Sequence, residues 1–266
     1  MSILKNLSRL TFCAALLPSF PAAALEQDPA SLAVVEKIVQ AYGGAAAIER
    51  IVAVNAEGEI KARMRGDQGS YKRWLRRSRL LRVETAYQRG AEVRILNGEQ
   101  VWRSGGGGAL KSVSGPGALA VVYQYKQLDL PYGLLKGVYN LRHAGKEAVD
   151  GVETEVLEVS DAEGPSMRVN VDSASHYIVR VSGHITFGGA ATDLGAVFSD
   201  YRLVEGVPMP FRVHNFAGGM AVSETVIHRY TVNPSDDSDR FEPSFKGHHG
   251  GTLTLASPPA TAARVI

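Results

Sequence analysis

Lys72, Arg73, Arg76, Arg77, Arg79 and Arg82 crowd one short stretch of this 266-residue chain. Guanidinium forks suit bidentate contacts with carboxylates and phosphates, so such a cluster can meet an anionic headgroup. It can equally be the solvated outer face of adjoining strands, and both readings stay open. Arg76, Arg77 and Arg79 are the residues that would form a headgroup or partner rim. Covalent chemistry finds less support. A serine hydrolase calls for a nucleophile turn such as G-x-S-x-G, which the sequence lacks. His248-His249, followed by Gly250-Gly251, does not have the spacing of a metal-ligand set. His176, His184, His214 and His228 fall on separate predicted strands, with no acidic partner at motif spacing. Asp172 and Asp200 could pair as carboxylates, but turn capping accounts for Asp172 more simply. Gly105 to Gly108 lack the flanking lysine of a phosphate loop. No catalytic residue, metal or cofactor is assigned, and the expectation is a binder rather than an enzyme.

The ends and the composition narrow the class. Lys5 and Arg9, an apolar run from Leu10 to Leu17, and Ala22-Ala23-Ala24 have the layout of a secretory signal peptide over residues 1–24. Thr11-Phe12 before Cys13 do not suit a lipoprotein site, and the single cysteine would leave with the signal. Disulfides and thiolate metal sites are thereby excluded from the mature chain. Losing Lys5 and Arg9, with no acidic residue, takes the formal charge from +2 to about zero, so bulk charge implies no nucleic-acid partner. The roughly 240 residues left suit one large β domain.

The positioning elements follow from periodicity. Asp28-Pro29 reads as an N-cap and first helical residue, and Leu32, Val35, Ile38, Val39 and Tyr42 recur at helical spacing. Gly43-Gly44 ends that helix. From Ile51 the period becomes two: Val52, Val54, Ala56, Gly58, Ile60, Ala62 and Met64 alternate with Ala53, Asn55, Glu57, Glu59, Lys61, Arg63 and Arg65. Further strands are predicted at Tyr71–Arg76, Leu80–Ala86, Glu92–Leu96, Gln100–Ser104, Tyr139–His143, Thr154–Val159, Met167–Val171, Tyr177–Ser182, Ile185–Phe187, Ala196–Tyr201, Phe211–Phe216 and Val222–Val232. Asn97-Gly98 and Glu205-Gly206 supply hairpin turns, while Pro208 and Pro210 should delay pairing after the second. Leu119, Val122, Tyr125 and Leu128 could face one side of a second short helix, interrupted by Pro131. The expected architecture is one antiparallel sheet over 25–245 with two helical pieces to cover it, followed by a disordered tail at 246–266.

Four short signatures line up in order. They are Tyr42-Gly43-Gly44 before the long strand with Gly58; Val171-Asp172-Ser173 leading to Tyr177-Ile178-Val179-Arg180; Tyr201 with Gly206-Val207-Pro208 and Pro210-Phe211; and Val232-Asn233-Pro234 before Phe241. In this the chain resembles the outer-membrane lipoprotein-sorting family of LolA/LolB-like periplasmic carriers, over nearly all of its mature length. The resemblance implies an incomplete, strongly curved β-barrel closed on one side by helices, with an apolar interior for acyl chains. It implies a periplasmic location, a lipid or lipidated protein as partner, and envelope membrane proteins or peripheral membrane contact beyond that. A buried arginine helps hold the lid in such carriers; no single position here is matched to it.

Parity nominates the lining. Leu81 and Val83, Val93 and Ile95, and Phe211 and Val213 each keep one strand face apolar, with Trp102 added as an aromatic and Tyr201 as a ring with its hydroxyl at the rim. The alternative is a non-enzymatic envelope module that binds another protein through the curved sheet. A packed interior would favour that module, and a hollow one of several hundred Å³ a ligand.

Overall fold

The computed structural model describes residues 25–244 apart from 78, 188, 236 and 237. The expected signal segment, His248-His249 and the expected tail lie outside the described residues. Asp28 opens the first helix, α1 (Pro29–Ala41): its Oδ1 accepts the Ser31 N–H at 2.9 Å, and Pro29 fills a first-turn position where no N–H is needed. Val34, Val35 and Ile38 are buried along its inner stripe, whereas Leu32, assigned to that stripe by spacing, is exposed. A one-turn-and-a-half helix, α2 (Ala45–Arg50), follows the positive-φ pair Gly43-Gly44.

Six strands then form an antiparallel meander: β1 (Ala53–Ala62), β2 (Asp67–Arg76), β3 (Leu80–Tyr87), β4 (Gly90–Asn97), β5 (Gln100–Arg103) and the two-residue β6 (Lys111–Ser112). Two helices follow, α3 (Pro116–Leu128) and α4 (Leu130–Leu135), with Pro131 in the first turn of α4, so the proline starts a helix as much as it stops one. A second meander completes the chain: β7 (Asn140–Val149), β8 (Val152–Ser160), β9 (Met167–Asp172), β10 (Ile178–Phe187), β11 (Ala190–Val204), β12 (Val207–Ala217) and β13 (Met220–Val232). The two strands expected at 177–182 and 185–187 are thus one. A 3-10 turn, Ser238–Phe241, ends the described fold.

All thirteen strands belong to one open sheet, in the order β6-β5-β4-β3-β2-β1-β13-β12-β11-β10-β9-β8-β7. Its edges are β6 and β7, and the α3–α4 connection leads from one edge to the other. Consequently α3 packs on β4 and β5 of the first meander and on β10 of the second, while α1 packs on β7 and α4. The expected mainly-β architecture, an open curved sheet covered by helices, is what forms. Pro208 and Pro210 do not delay pairing as expected: they lie opposite Leu203 and Tyr201 in the β11–β12 ladder. The β12–β13 ladder begins only at Arg212, so both prolines sit where that second flank is unpaired.

The four signatures meet in space. A Cβ on Gly43 would stand 2.8 Å from the Gly206 carbonyl oxygen, so the end of α1 touches the β11–β12 turn backbone to backbone. Arg50 donates to the Glu205 carbonyl at 2.5 Å. Asn233, at φ 46, accepts the Val52 N–H at 2.9 Å and donates to the Arg50 carbonyl at 2.8 Å, tying β13 to the start of β1. Tyr42 accepts the Ile178 N–H at 3.3 Å, and Tyr201 donates to the Ile178 carbonyl. Burial pushes the Tyr42 hydroxyl up to about 12, so it stays neutral. Asp172 caps its own turn by accepting the Ala174 N–H at 2.8 Å, as expected.

Candidate ligand cavity

Strand register decides which side chains face the helices. Val54, opposite Leu75 on β2 and Val232 on β13, sets the inner face of β1; Ala56, Gly58 and Ile60 share it. Across that face runs a cavity of about 340 Å³, roofed by α3 and the α3–α4 junction. Its walls include Val54 and Ile60 from β1, Leu75 from β2, Phe198 from β11, Val213 from β12 and Ile227 from β13. Beneath it, Leu81, Val83, Leu96 and Val101 pack solidly with Val121 and Tyr125 of α3. A glycine-side-chain clash explains one local feature of the floor. A Cβ on Gly58 would approach the Val226 carbonyl oxygen to 2.0 Å, at the bulge where the β1–β13 register shifts.

Three arginines and one aspartate line the cavity: Arg73, Arg77, Arg94 and Asp129. Arg77 and Asp129 answer each other. Arg77 Nε donates to Asp129 Oδ1 at 3.1 Å, Nη1 donates to the Ile48 carbonyl at 2.7 Å, and the guanidinium stacks 3.7 Å from the Tyr132 ring centre. One side chain on the β2–β3 side thereby holds α2, the end of α3 and the start of α4. Burial raises the Asp129 carboxyl above its ordinary range, against the pull of Arg77.

Arg73 and Arg94 lie on one row of the inner face. Register places Arg103 opposite Arg94, Arg94 opposite Val83, Val83 opposite Arg73, Arg73 opposite Ala56, and Ala56 opposite Tyr230. The small Ala56 lets the Arg73 guanidinium reach over the Tyr230 ring, 5.7 Å from its centre. Arg73 is only 7% exposed, and its Nε has no hydrogen-bond partner. Arg94 is half-buried, with part of its surface open to the cavity; burial, then Tyr71 and Arg103 in opposite senses, leaves its pKa below the usual guanidinium range.

The expected lining divides into three groups. Val213 and Tyr201 do line the cavity, although the Tyr201 hydroxyl is tied to Ile178 rather than free at a rim. Leu81 and Val83 share the inner face but belong to the solid core, and Phe211 packs edge-on against Tyr230 with ring centres 5.1 Å apart. Val93, Ile95 and Trp102 are corrected: register pairs Val93 with Glu84, Ile95 with Arg82 and Trp102 with Ile95, which puts all three on the outer face. That face is itself covered, because the turn Ser238–Phe241 packs on β3 and β4, with Arg240 over Trp74 at 4.6 Å.

The expected arginine rim does not assemble either. Arg77 enters the cavity wall, Arg76 lines an outer-face hollow with Trp74 and Phe241, and Arg79 turns at φ 67 to donate to the Gly98 carbonyl at 3.1 Å and to pair with Glu163. Sequence reasoning missed Arg94, and treated Arg73 only as part of the surface cluster. The signal that could have found both is their shared inward parity with Val83. Among the described residues, no cluster of three or more His, Cys, Asp or Glu side chains could hold a metal. His143 pairs with Glu155 at 2.7 Å and His214 with Glu224 at 3.3 Å, on carboxylates shared with Lys146 and with Arg63 and Arg212 respectively.

No protein-family model matches the sequence, and no curated protein matches it. Solved structures do match. An outer-membrane lipoprotein-sorting protein domain from Vibrio parahaemolyticus superposes with a TM-score of 0.51 at 12% identity, covering 80% of this chain and 96% of that one. A LolA superfamily protein from Nitrosomonas europaea gives 0.51 at 13% identity, covering 79% and 96%. A DUF1329 family protein from Desulfovibrio piger gives 0.52 at 14% identity, covering 80% and 97%. At such identities the likeness is one of fold, and the chain carries the LolA-like fold of the outer-membrane lipoprotein-sorting proteins.

Proposed function

We propose that this protein is a non-enzymatic periplasmic carrier or sensor that holds a lipid, or the acyl chains of a lipoprotein, between its sheet and its helices. The observation that carries this reading is the cavity of about 340 Å³. That volume falls in the range of small-molecule sites, roughly 300–1,000 Å³. The hollow interior also favours a ligand over the envelope interaction module, which needs a packed one. Apolar walls alone can supply the affinity. Each buried methylene is worth about 0.8 kcal/mol, so ten carbons contribute about 8 kcal/mol before ordering costs. The lipoprotein-sorting domain that shares the fold points the same way. Arg77 serves as the joint of the cover, since it gathers α2, α3 and α4 at one guanidinium. Native mass spectrometry after mild purification tests the reading directly, with fluorescent fatty-acyl titration as its second arm. Co-purified lipid and saturable acyl binding are expected; a bare protein that binds no acyl probe would overturn it.

A further inference from the structure

The row that contains Arg73 and Arg94 continues to the sheet edge. Arg103 on β5 faces Lys111 on β6, so Lys111, Arg103, Arg94 and Arg73 stand on one inner-face row, with only Val83 interposed. Lys111 and Arg103 are exposed, Arg94 is half-buried, and Arg73 is buried. Like charges directly opposite one another destabilise a ladder, and this row sets Arg94 against Arg103 and Arg103 against Lys111. Nearby carboxylates are already engaged: Glu92 with Arg65 at 2.8 Å, and Asp129 with Arg77. Among the described residues, none of the four cations in the row makes an ion pair. A solvated surface explains Lys111 and Arg103 but not Arg73, whose Nε is buried without a partner beside an open cavity.

Resting on the ligand-cavity reading, we propose that the cavity selects amphiphiles with one anionic group, a carboxylate or a phosphate, seated between Arg73 and Arg94. Two strand spacings separate those backbones by about 10 Å, a gap that two arginine side chains can close around one small anion. A guanidinium fork matches either oxyanion bidentately. The Tyr230 ring backs Arg73, and the apolar walls beyond it receive the chain. Lys111 and Arg103 continue the positive field to the exterior, where it draws anions towards the site. A neutral acylglycerol would leave the buried charge of Arg73 with no anion, only the Tyr71 and Tyr230 side chains, which is the energetic basis of the selection.

The test is calorimetric titration of the purified protein with decanoate, decyl phosphate and decanol. The two anions are expected to bind at least tenfold more tightly than decanol, and the tighter of them tells carboxylate from phosphate. In Arg94→Gln and Arg73→Gln that advantage should collapse towards one. Because Arg73 is buried, its variant is used only if its far-ultraviolet spectrum is native; otherwise the half-buried Arg94 decides. Equal affinity of wild type for all three ligands overturns the proposal, as does an anionic advantage that survives substitution. In both cases decanol still binds, so the carrier reading stands. Absence of binding by any of the three would remove the carrier reading and this inference together.

Discussion

Asp28 divides one carboxylate between a helix and an edge strand: Oδ1 accepts the Ser31 N–H and Oδ2 the His143 N–H at 2.8 Å. Those two backbone donors, Ser31 first, hold its carboxyl below the ordinary value of 3.8. A depressed folded pKa means the joint is fully present above the unfolded value and is lost as pH falls through the folded one. Protection factors of the Ser31 and His143 amides, taken relative to their intrinsic exchange rates at each pH, should therefore fall as pH drops below the ordinary carboxylate range. Asp28→Ala should show the same loss of protection already at neutral pH; protection unchanged in that variant would refute the joint. The arginines give a second contrast. Arg77 and Asp129 side chains are 14% and 13% exposed, so Arg77→Gln strands a buried carboxylate and should cost about 3 kcal/mol in urea unfolding. Arg79 pairs with a half-exposed Glu163, and Arg79→Gln should change stability by less than about 1 kcal/mol. Equal losses in the two would contradict the different burial of these pairs.

Strands explain why part of the site was legible and part was not. Alternation located nearly every strand and both helical covers, because period two and period 3.6 are written into side-chain order. It fixed parity without fixing which parity faces inward. Val93 and Ile95 read as interior because they are apolar; they face outward because Trp74, Trp102 and Phe241 build a second apolar layer there. Arg73 reads as surface because it is charged, and Arg94 escapes the sequence reading altogether; both face inward because Val83 between them does. A strand buried on both faces erases the polar marker that would orient it. Phenylalanine scanning separates these environments. Val213→Phe grows into the cavity and should cost under about 1 kcal/mol while weakening acyl binding at least tenfold. Leu81→Phe overfills a packed core and should cost about 1–3 kcal/mol. Val93→Phe, on the half-buried outer face, should leave acyl binding as in wild type. A loss of binding in Val93→Phe alone would reverse the assignment of faces.

For the whole molecule, residues 1–24 are expected to be removed during export, and N-terminal sequencing of envelope protein should begin near Leu25. An uncleaved chain retained in the cytoplasm would contradict the periplasmic role. The sheet itself has a temporal consequence. Every pair of neighbouring strands is consecutive in the chain except β1 and β13, whose ladder joins Val54 to Val232 at the middle of the sheet. Two meanders can each assemble by local hairpin closure, but uniting them requires closing a loop of about 170 residues. Relative to a ten-residue hairpin that is about four doublings of length, or about 2.4 kcal/mol of additional chain entropy. The central seam is thus expected to be the slow event in refolding, with its contacts formed in the transition state. Gly58→Ala, which drives a methyl into the Val226 carbonyl, should slow refolding with little change in the unfolding limb of a chevron plot. Leu157→Ala, in the β7–β8 hairpin, should instead act mainly on the unfolding limb. The same effect on both limbs from both variants would show that the two meanders do not form before they join.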